Sequence, residues 1–144
     1  MAIELTCPSC GAINRVPEER LDSRPVCGKC KTLLLNGQPL AASDASFQRL
    51  VDRNGLPLVL DFWASWCGPC QQFSPTFQAT AADFSTRARF IKVDAEACPQ
   101  TAGRFQIRSI PTLMIVKNGK EVVRLSGALP KAQFVQWLEQ HLGN

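Results

Sequence analysis

The sequence predicts an α/β protein: a mixed sheet with helices on both faces, preceded by a small unit built around four cysteines. Three observations carry this reading. The seven cysteines fall into three Cys-x-x-Cys pairs and one single residue, and the first two pairs lie close together near the start of the chain. Near-continuous apolar runs, Leu58 to Trp63 and Phe90 to Val93, alternate with helical patterns, as expected of strands buried on both faces. Asn118-Gly119 then separates two β-rich runs, a strong hairpin signal because both central residues need positive φ.

The bulk properties agree. A chain of 144 residues, 45% hydrophobic and 19% charged, suits one ordinary domain with a small appendage. The net charge of +4 is modest and the cations are scattered, which argues against a nucleic-acid binder. No basic segment followed by an apolar run opens the chain, and no apolar run approaches the roughly 20 residues that span a bilayer. The expectation is a soluble, monomeric, cytoplasmic protein with no membrane partner. Thiols are kept reduced there, so seven cysteines point to metal binding or redox catalysis rather than structural disulfides.

Residues 1–36 form the first predicted unit. Cys7-x2-Cys10-x16-Cys27-x2-Cys30 has the spacing of a four-cysteine zinc ribbon, in which two knuckles each place two thiolates on one metal. Four thiolates also suit iron. Gly11 lets the backbone turn after the first knuckle, and Gly28 is expected to give the second similar freedom. The segment has few large apolar residues, and so short a unit usually needs a metal, disulfides or a partner to fold; two disulfides or idle thiols are the alternatives to a metal here. Residues 37–43 read as a linker, marked by Asn36-Gly37 and Pro39.

The second domain, 44–144, is taken in order. Ser43 caps a helix carrying Phe47, Leu50 and Val51, which ends at Asn54-Gly55. Leu58 to Trp63 is a buried strand. A helix from about Pro69 aligns Phe73, Phe77, Ala81 and Phe84 on one face, and Pro75 within it predicts a kink. Phe90 to Asp94 is the next strand, followed by a short helix around 100–105. The hairpin Thr112 to Val116 and Glu121 to Leu125 comes next, and a last helix opens near Pro130. The strand-helix-strand unit implies a parallel pair with a right-handed crossover.

Trp66-Cys67-Gly68-Pro69-Cys70 therefore sits where a central strand hands over to a helix, at the carboxyl end of the sheet, where sites of open α/β folds lie. Only a thiolate attacks a disulfide efficiently, and a helix N-terminus favours that charge. Cys67 is the expected nucleophile. Cys70, one turn further in, resolves the mixed disulfide. Asp61 interrupts an apolar strand, and burial there would raise its pKa into the range useful for taking the Cys70 proton. Lys92 likewise interrupts a strand, either as a partner of Asp61 or as an edge lysine facing water. Ile110-Pro111 precedes a strand, and residue statistics alone leave that bond trans, since only about 5–6% of X-Pro bonds are cis.

Asp61-Phe62-Trp63-Ala64-Ser65-Trp66-Cys67-Gly68-Pro69-Cys70 resembles the active-site segment of the thioredoxin family. Supporting matches are Pro75, Lys92-Val93-Asp94, Ile107 to Thr112, Asn118-Gly119 and Ser126-Gly127-Ala128. The four-cysteine segment resembles the zinc-binding bacterial subclass, often called thioredoxin 2. The resemblance implies the thioredoxin fold and a protein-disulfide reductase recharged by an NADPH-dependent thioredoxin reductase. It implies Asp61 as buried proton carrier with Lys92 beside it, Pro111 in the cis form, and disulfide-containing substrate proteins docking on Trp66, Gly68, Pro69, Ile110, Pro111 and Gly127. It implies zinc on Cys7, Cys10, Cys27 and Cys30. One departure is Gln71, where many members carry lysine. Another is Cys98, outside both cysteine sets and ahead of Pro99 at a helix start, a position that could lower its pKa. It reads either as an inert small residue or as a regulatory thiol. His141, near the end of the last helix, complements the helix dipole.

Two rivals accompany the reductase reading. One is a binding module in which the ribbon recruits a partner; the other is a thiol oxidase or isomerase on the same fold.

Overall fold

The computed structural model describes residues 1–143. The chain opens with an antiparallel hairpin, β1 (Ala2–Thr6) and β2 (Ile13–Pro17), followed by a short 3-10 turn at Glu18–Arg20. A two-residue strand, β3 (Leu40–Ala41), leads into α1 (Asp44–Asp52), β4 (Leu58–Trp63) and α2 (Gly68–Asp83). Then come β5 (Arg89–Asp94), α3 (Pro99–Arg104), β6 (Thr112–Lys117), β7 (Lys120–Ser126) and α4 (Lys131–Leu142).

The five strands β3 to β7 form one sheet in the order β3-β5-β4-β6-β7. β4 pairs in parallel with β5 and antiparallel with β6, so it is central and mixed, as the element order predicts. The hairpin turn has Asn118 and Gly119 at φ 53 and 77, the two positive values its sequence requires. Ser43 and Ser46 cap α1 reciprocally through side chain and backbone. α2 runs through Pro75 to Asp83; the missing N–H of Pro75 removes one hydrogen bond without ending the helix.

Alternation along β4 divides the core. Leu58, Leu60 and Phe62 face α1 and α3, packing with Phe47, Leu50, Ile91 and Phe105. Val59 faces α2 and α4, among Phe73, Phe77, Phe90, Phe134 and Leu138. The second layer is largely aromatic, with Phe77–Phe90 and Phe73–Phe134 ring centroids both 5.1 Å apart. By the same period of two, Asp61 shares the face of Val59.

The stretch expected to be a linker contributes to the sheet. Leu40 and Ala41 pair with Ile91 and Lys92, and Ala42 N–H donates to the Lys92 carbonyl. Two residues between turn signals are too short for a period-two pattern to show.

The ribbon packs on the second domain around the turn between α1 and β4. Gly55 N–H donates to the Glu4 carbonyl at 2.7 Å. Arg53 grips the Glu4 carboxylate with two hydrogen bonds of 2.9 and 2.8 Å. Gly55 is required by contact: a Cβ there would stand 2.6 Å from Ile3 Cβ.

Candidate active site and metal centre

Cys67 caps the N-terminus of α2, with Pro69 in the first turn. It forms a disulfide with Cys70 across a Cα–Cα distance of 5.3 Å. Cys67 Sγ also accepts the Cys70 backbone N–H at 3.2 Å, so a peptide donor of the helix start points at this sulfur. Such a donor stabilises a thiolate once the disulfide is reduced. Both sulfurs are nearly buried, packed with Ala64, Trp63 and Ile110, whereas Trp66 is 68% exposed.

Asp61 lies in mid-β4, the strand that leads into the dithiol. It is fully buried and neither carboxylate oxygen has a hydrogen-bond partner. Loss of water lifts its pKa to about 7, and the charge of Lys92 offsets only part of that rise. Lys92 is its register partner on β5. Because β5 lies between β3 and β4, Lys92 is not an edge lysine. Its ammonium donates to Ser74 Oγ at 2.9 Å and sits 4.7 Å from the centre of the Trp63 ring.

Beside the dithiol, Ala64, Trp66, Glu96, Ile107 and Ile110 line a shallow groove. The Ile110-Pro111 bond is cis, against the residue statistics and as the family resemblance implies. Gly127, at φ 102, donates its N–H to the Pro111 carbonyl at 2.8 Å and ties this loop to the end of β7. A Cβ at Gly68 or Gly127 would meet nothing within 4 Å, so both leave open space near the groove.

Two contacts here had no sequence signal. Trp66 Nε1 donates to Glu96 Oε2 at 2.9 Å, fixing the exposed indole from across the groove. Gln71 Nε2 donates to the Ser65 carbonyl and braces the active-site turn from the first turn of α2. The first joins residues 30 positions apart, on loops that the fold brings together; the second is local, closing the turn between β4 and α2.

Cys98 is buried with its Sγ donating to the Ala42 carbonyl at 3.3 Å. Burial, then the nearby Asp44 and Asp94 charges, push its pKa up, not down as its helix-start position suggests. That environment matches the inert alternative. His141 lies in the last turn of α4, its ring 5.8 Å from that of Trp137.

At the other cysteine set, the Sγ atoms of Cys7, Cys10, Cys27 and Cys30 lie within 4.8 Å of one another. Cys7–Cys30 is 3.5 Å and Cys10–Cys27 is 3.7 Å. A tetrahedron with Zn–S near 2.3 Å has edges of about 3.8 Å, so the donor spacing fits such a metal. Backbone N–H groups of Ser9 and Cys10 point at Cys7 Sγ, and Lys29 N–H and the Asn14 amide at Cys27 Sγ. These donors favour thiolates; Cys27 is held down to about 6, first by the Cys30 backbone N–H and then by Asn14.

The two knuckles are built alike. Cys7 N–H donates to Ala12 O and Cys27 N–H to Thr32 O, while Gly11 and Lys31 N–H return to Cys7 O and Cys27 O. Gly11 takes φ 77 and Lys31 takes φ 69. The left-handed residue of the second knuckle is therefore Lys31, one position after the second ligand, and not Gly28 as expected. Gly28 instead donates its N–H to Asn14 Oδ1 at 2.9 Å.

A dithiol on the strand-to-helix junction of a mixed sheet, with a cis-proline loop beside it and a buried carboxyl group on the strand leading into it, defines a thiol-disulfide oxidoreductase. Residues 38–140 match the thioredoxin family model, and residues 6–32 match the N-terminal domain of thioredoxin 2. Thioredoxin C-3 of Corynebacterium nephridii is 43% identical over 138 residues, covering 96% of this chain and 94% of that protein. Thioredoxin 2 of Chlorobaculum tepidum is 38% identical over 109 residues, 76% of this chain and 100% of that protein. Thioredoxin of Haemophilus influenzae is 39% identical over 103 residues, 72% of this chain and 96% of that protein. The chain belongs to the thioredoxin family. Its four-cysteine unit is a metal-binding ribbon by fold and donor set. No helix among the described residues is long and apolar enough to cross a membrane.

Proposed function

We propose that the protein reduces disulfides of other proteins, recharged by an NADPH-dependent thioredoxin reductase. The single observation that carries the proton chemistry is Asp61, fully buried, without a hydrogen-bond partner, and poised near pH 7. A carboxyl group in that state accepts and returns a proton at working pH.

In the reduced protein, Cys67 thiolate attacks one sulfur of a substrate disulfide. The S–S bond breaks, one substrate sulfur leaves as thiolate, and the other remains bonded to Cys67. Cys70 then gives its proton to the Asp61 carboxylate and attacks Cys67 Sγ. The mixed disulfide breaks, the second substrate thiolate leaves, and Cys67–Cys70 becomes the disulfide. Two electrons have passed to the substrate. Lys92, near Asp61 but hydrogen-bonded to Ser74, keeps the carboxyl group's pKa from rising further.

Substrate docks in the groove between Trp66 and Ile110. Exposed Trp66, the open space near Gly68 and Gly127, and the cis Ile110-Pro111 turn beside the groove support a chain lying across the dithiol. Pro69 starts the helix that presents Cys67.

Cys7, Cys10, Cys27 and Cys30 hold zinc. A bound zinc ion supplies structural cross-linking of two knuckles that have little core of their own. The compartment is the cytoplasm, where reduced thiols are available for the metal. Lys120, Glu121 and Arg124 on edge strand β7 oppose pairing with another sheet, in keeping with a monomer.

The test is insulin reduction coupled to thioredoxin reductase and NADPH. Wild type is expected to turn over and Cys67→Ser to be inactive. Equal turnover by the two proteins would refute the assignment.

A further inference from the structure

Arg89 is the first residue of β5, and its side chain reaches the ribbon. It is only 6% exposed. Nη1 donates to the Thr6 carbonyl at 3.0 Å and to Asn54 Oδ1 at 3.3 Å, both neutral acceptors. Among the described residues, none of the ion pairs involves Arg89. A buried guanidinium without an anion is costly. Burial accordingly draws its pKa down to about 10. Thr6, its backbone acceptor, immediately precedes Cys7.

We propose that Arg89 is the buried counter-charge of the metal centre, so that metal binding and docking of the ribbon on the sheet strengthen each other. The inference rests on the metal reading given above. A divalent ion on four thiolates leaves a doubly negative centre, which the knuckle N–H groups neutralise only in part. Arg89 supplies a full positive charge from the other domain, in a place where water screens little. Coupling of this kind is reciprocal. Loss of the metal or of the thiolates strands a buried cation and loosens the ribbon at Thr6; undocking the ribbon lowers metal affinity. Arg49 is the natural comparison. It also reaches a knuckle, with Nη1 donating to the Gly11 carbonyl at 2.8 Å, but it is exposed and its charge is screened.

The test uses the full chain as wild type, Arg89→Gln, Arg89→Lys and Arg49→Met. Zinc content is measured by elemental analysis, zinc affinity by competition with a chromophoric chelator, and Tm with and without chelator. Glutamine keeps a donor for Thr6 and removes the charge. Arg89→Gln is expected to lower zinc affinity about 10–100-fold and to shrink the zinc-dependent rise in Tm. Arg89→Lys should recover most of the affinity, and Arg49→Met should lose less than about threefold. Insulin reduction by Arg89→Gln should match wild type, which shows that the catalytic domain is intact. If Arg89→Gln fails to fold, Arg89→Lys carries the test: wild-type affinity supports the counter-charge, and a loss as large as 10-fold overturns it. Wild-type affinity in a folded Arg89→Gln protein also overturns it. A wild type that binds no metal would instead overturn the metal reading itself.

Discussion

Asp61 and Lys92 are register partners on β4 and β5, yet the lysine's ammonium is bonded to Ser74 Oγ, and both Asp61 oxygens are left without a hydrogen bond. The cation is near enough to be felt and is held away from neutralising the carboxylate. This division keeps Asp61 near pH 7 and able to exchange a proton.

The stability consequence has a definite sign. Asp61 has a folded pKa of about 7 against an ordinary 3.8, so the folded state holds the proton more tightly. Well below pH 3.8 the carboxyl group is neutral in both states and costs nothing through ionisation. From there to pH 7 wild type loses stability, and above pH 7 the loss is complete. The difference between 3.8 and about 7 corresponds to roughly 4 kcal/mol. Asp61→Asn should therefore gain on wild type by a few kcal/mol between pH 3 and pH 9 in urea melts of the oxidised protein. A pH-independent difference between the two would argue against an ionisable buried Asp61.

The same variant should be slow in chemistry. With no carboxylate to take the Cys70 proton, resolution of the mixed disulfide should fall by about 100-fold near pH 7. The first attack by Cys67 should change far less. Stopped-flow measurement of the two steps on a model protein disulfide separates them.

Cys70→Ser should retain the first step and lose the second. The expected product is a stable covalent adduct between Cys67 and a substrate cysteine, visible by intact mass and released by dithiothreitol. Cys67→Ser should form no such adduct. Adducts in both would mean that the two cysteines share the nucleophile's task.

Gly55→Ala forces a Cβ to within 2.6 Å of Ile3 Cβ unless the ribbon shifts. Overpacking of this kind costs typically 1–3 kcal/mol, that is, about 2 kcal/mol here. The variant should show faster proteolysis between residues 36 and 43 while insulin reduction continues. Unchanged cleavage would show that the β1 strand yields locally.

Lys31 occupies φ 69, a conformation that costs an L-residue about 1–2 kcal/mol, part of which glycine forfeits through its freer unfolded chain. Lys31→Gly should stabilise the metal-loaded ribbon by about 0.5–1 kcal/mol. The readout is the denaturant midpoint for zinc release. A lower midpoint would contradict the strain.

The catalytic half of the fold was legible because its signals are local. The apolar runs at β4 and β5, the Ser43 cap, the Asn118-Gly119 turn and the cysteine spacing each act over a few residues. The ribbon strands Ala2–Thr6 and Ile13–Pro17 were not drawn from sequence, since half-exposed strands flanking a knuckle carry only weak alternation. Residue type points to glycine for the second knuckle, whereas geometry repeats the first knuckle and puts the turn on Lys31. The contacts of Trp66 with Glu96 and of Arg89 with Thr6 join residues 30 and 83 positions apart, beyond any sequence pattern.

The ribbon's grip on the Gly55 turn and the dithiol beyond Trp63 lie at opposite ends of β4, whose six residues span about 20 Å. A macromolecule seated over the dithiol thus leaves the Gly55 end of the molecule clear. The protein can be tethered, labelled or captured through its Gly55 end while its electron-transfer end stays in use, like a tool held by its handle.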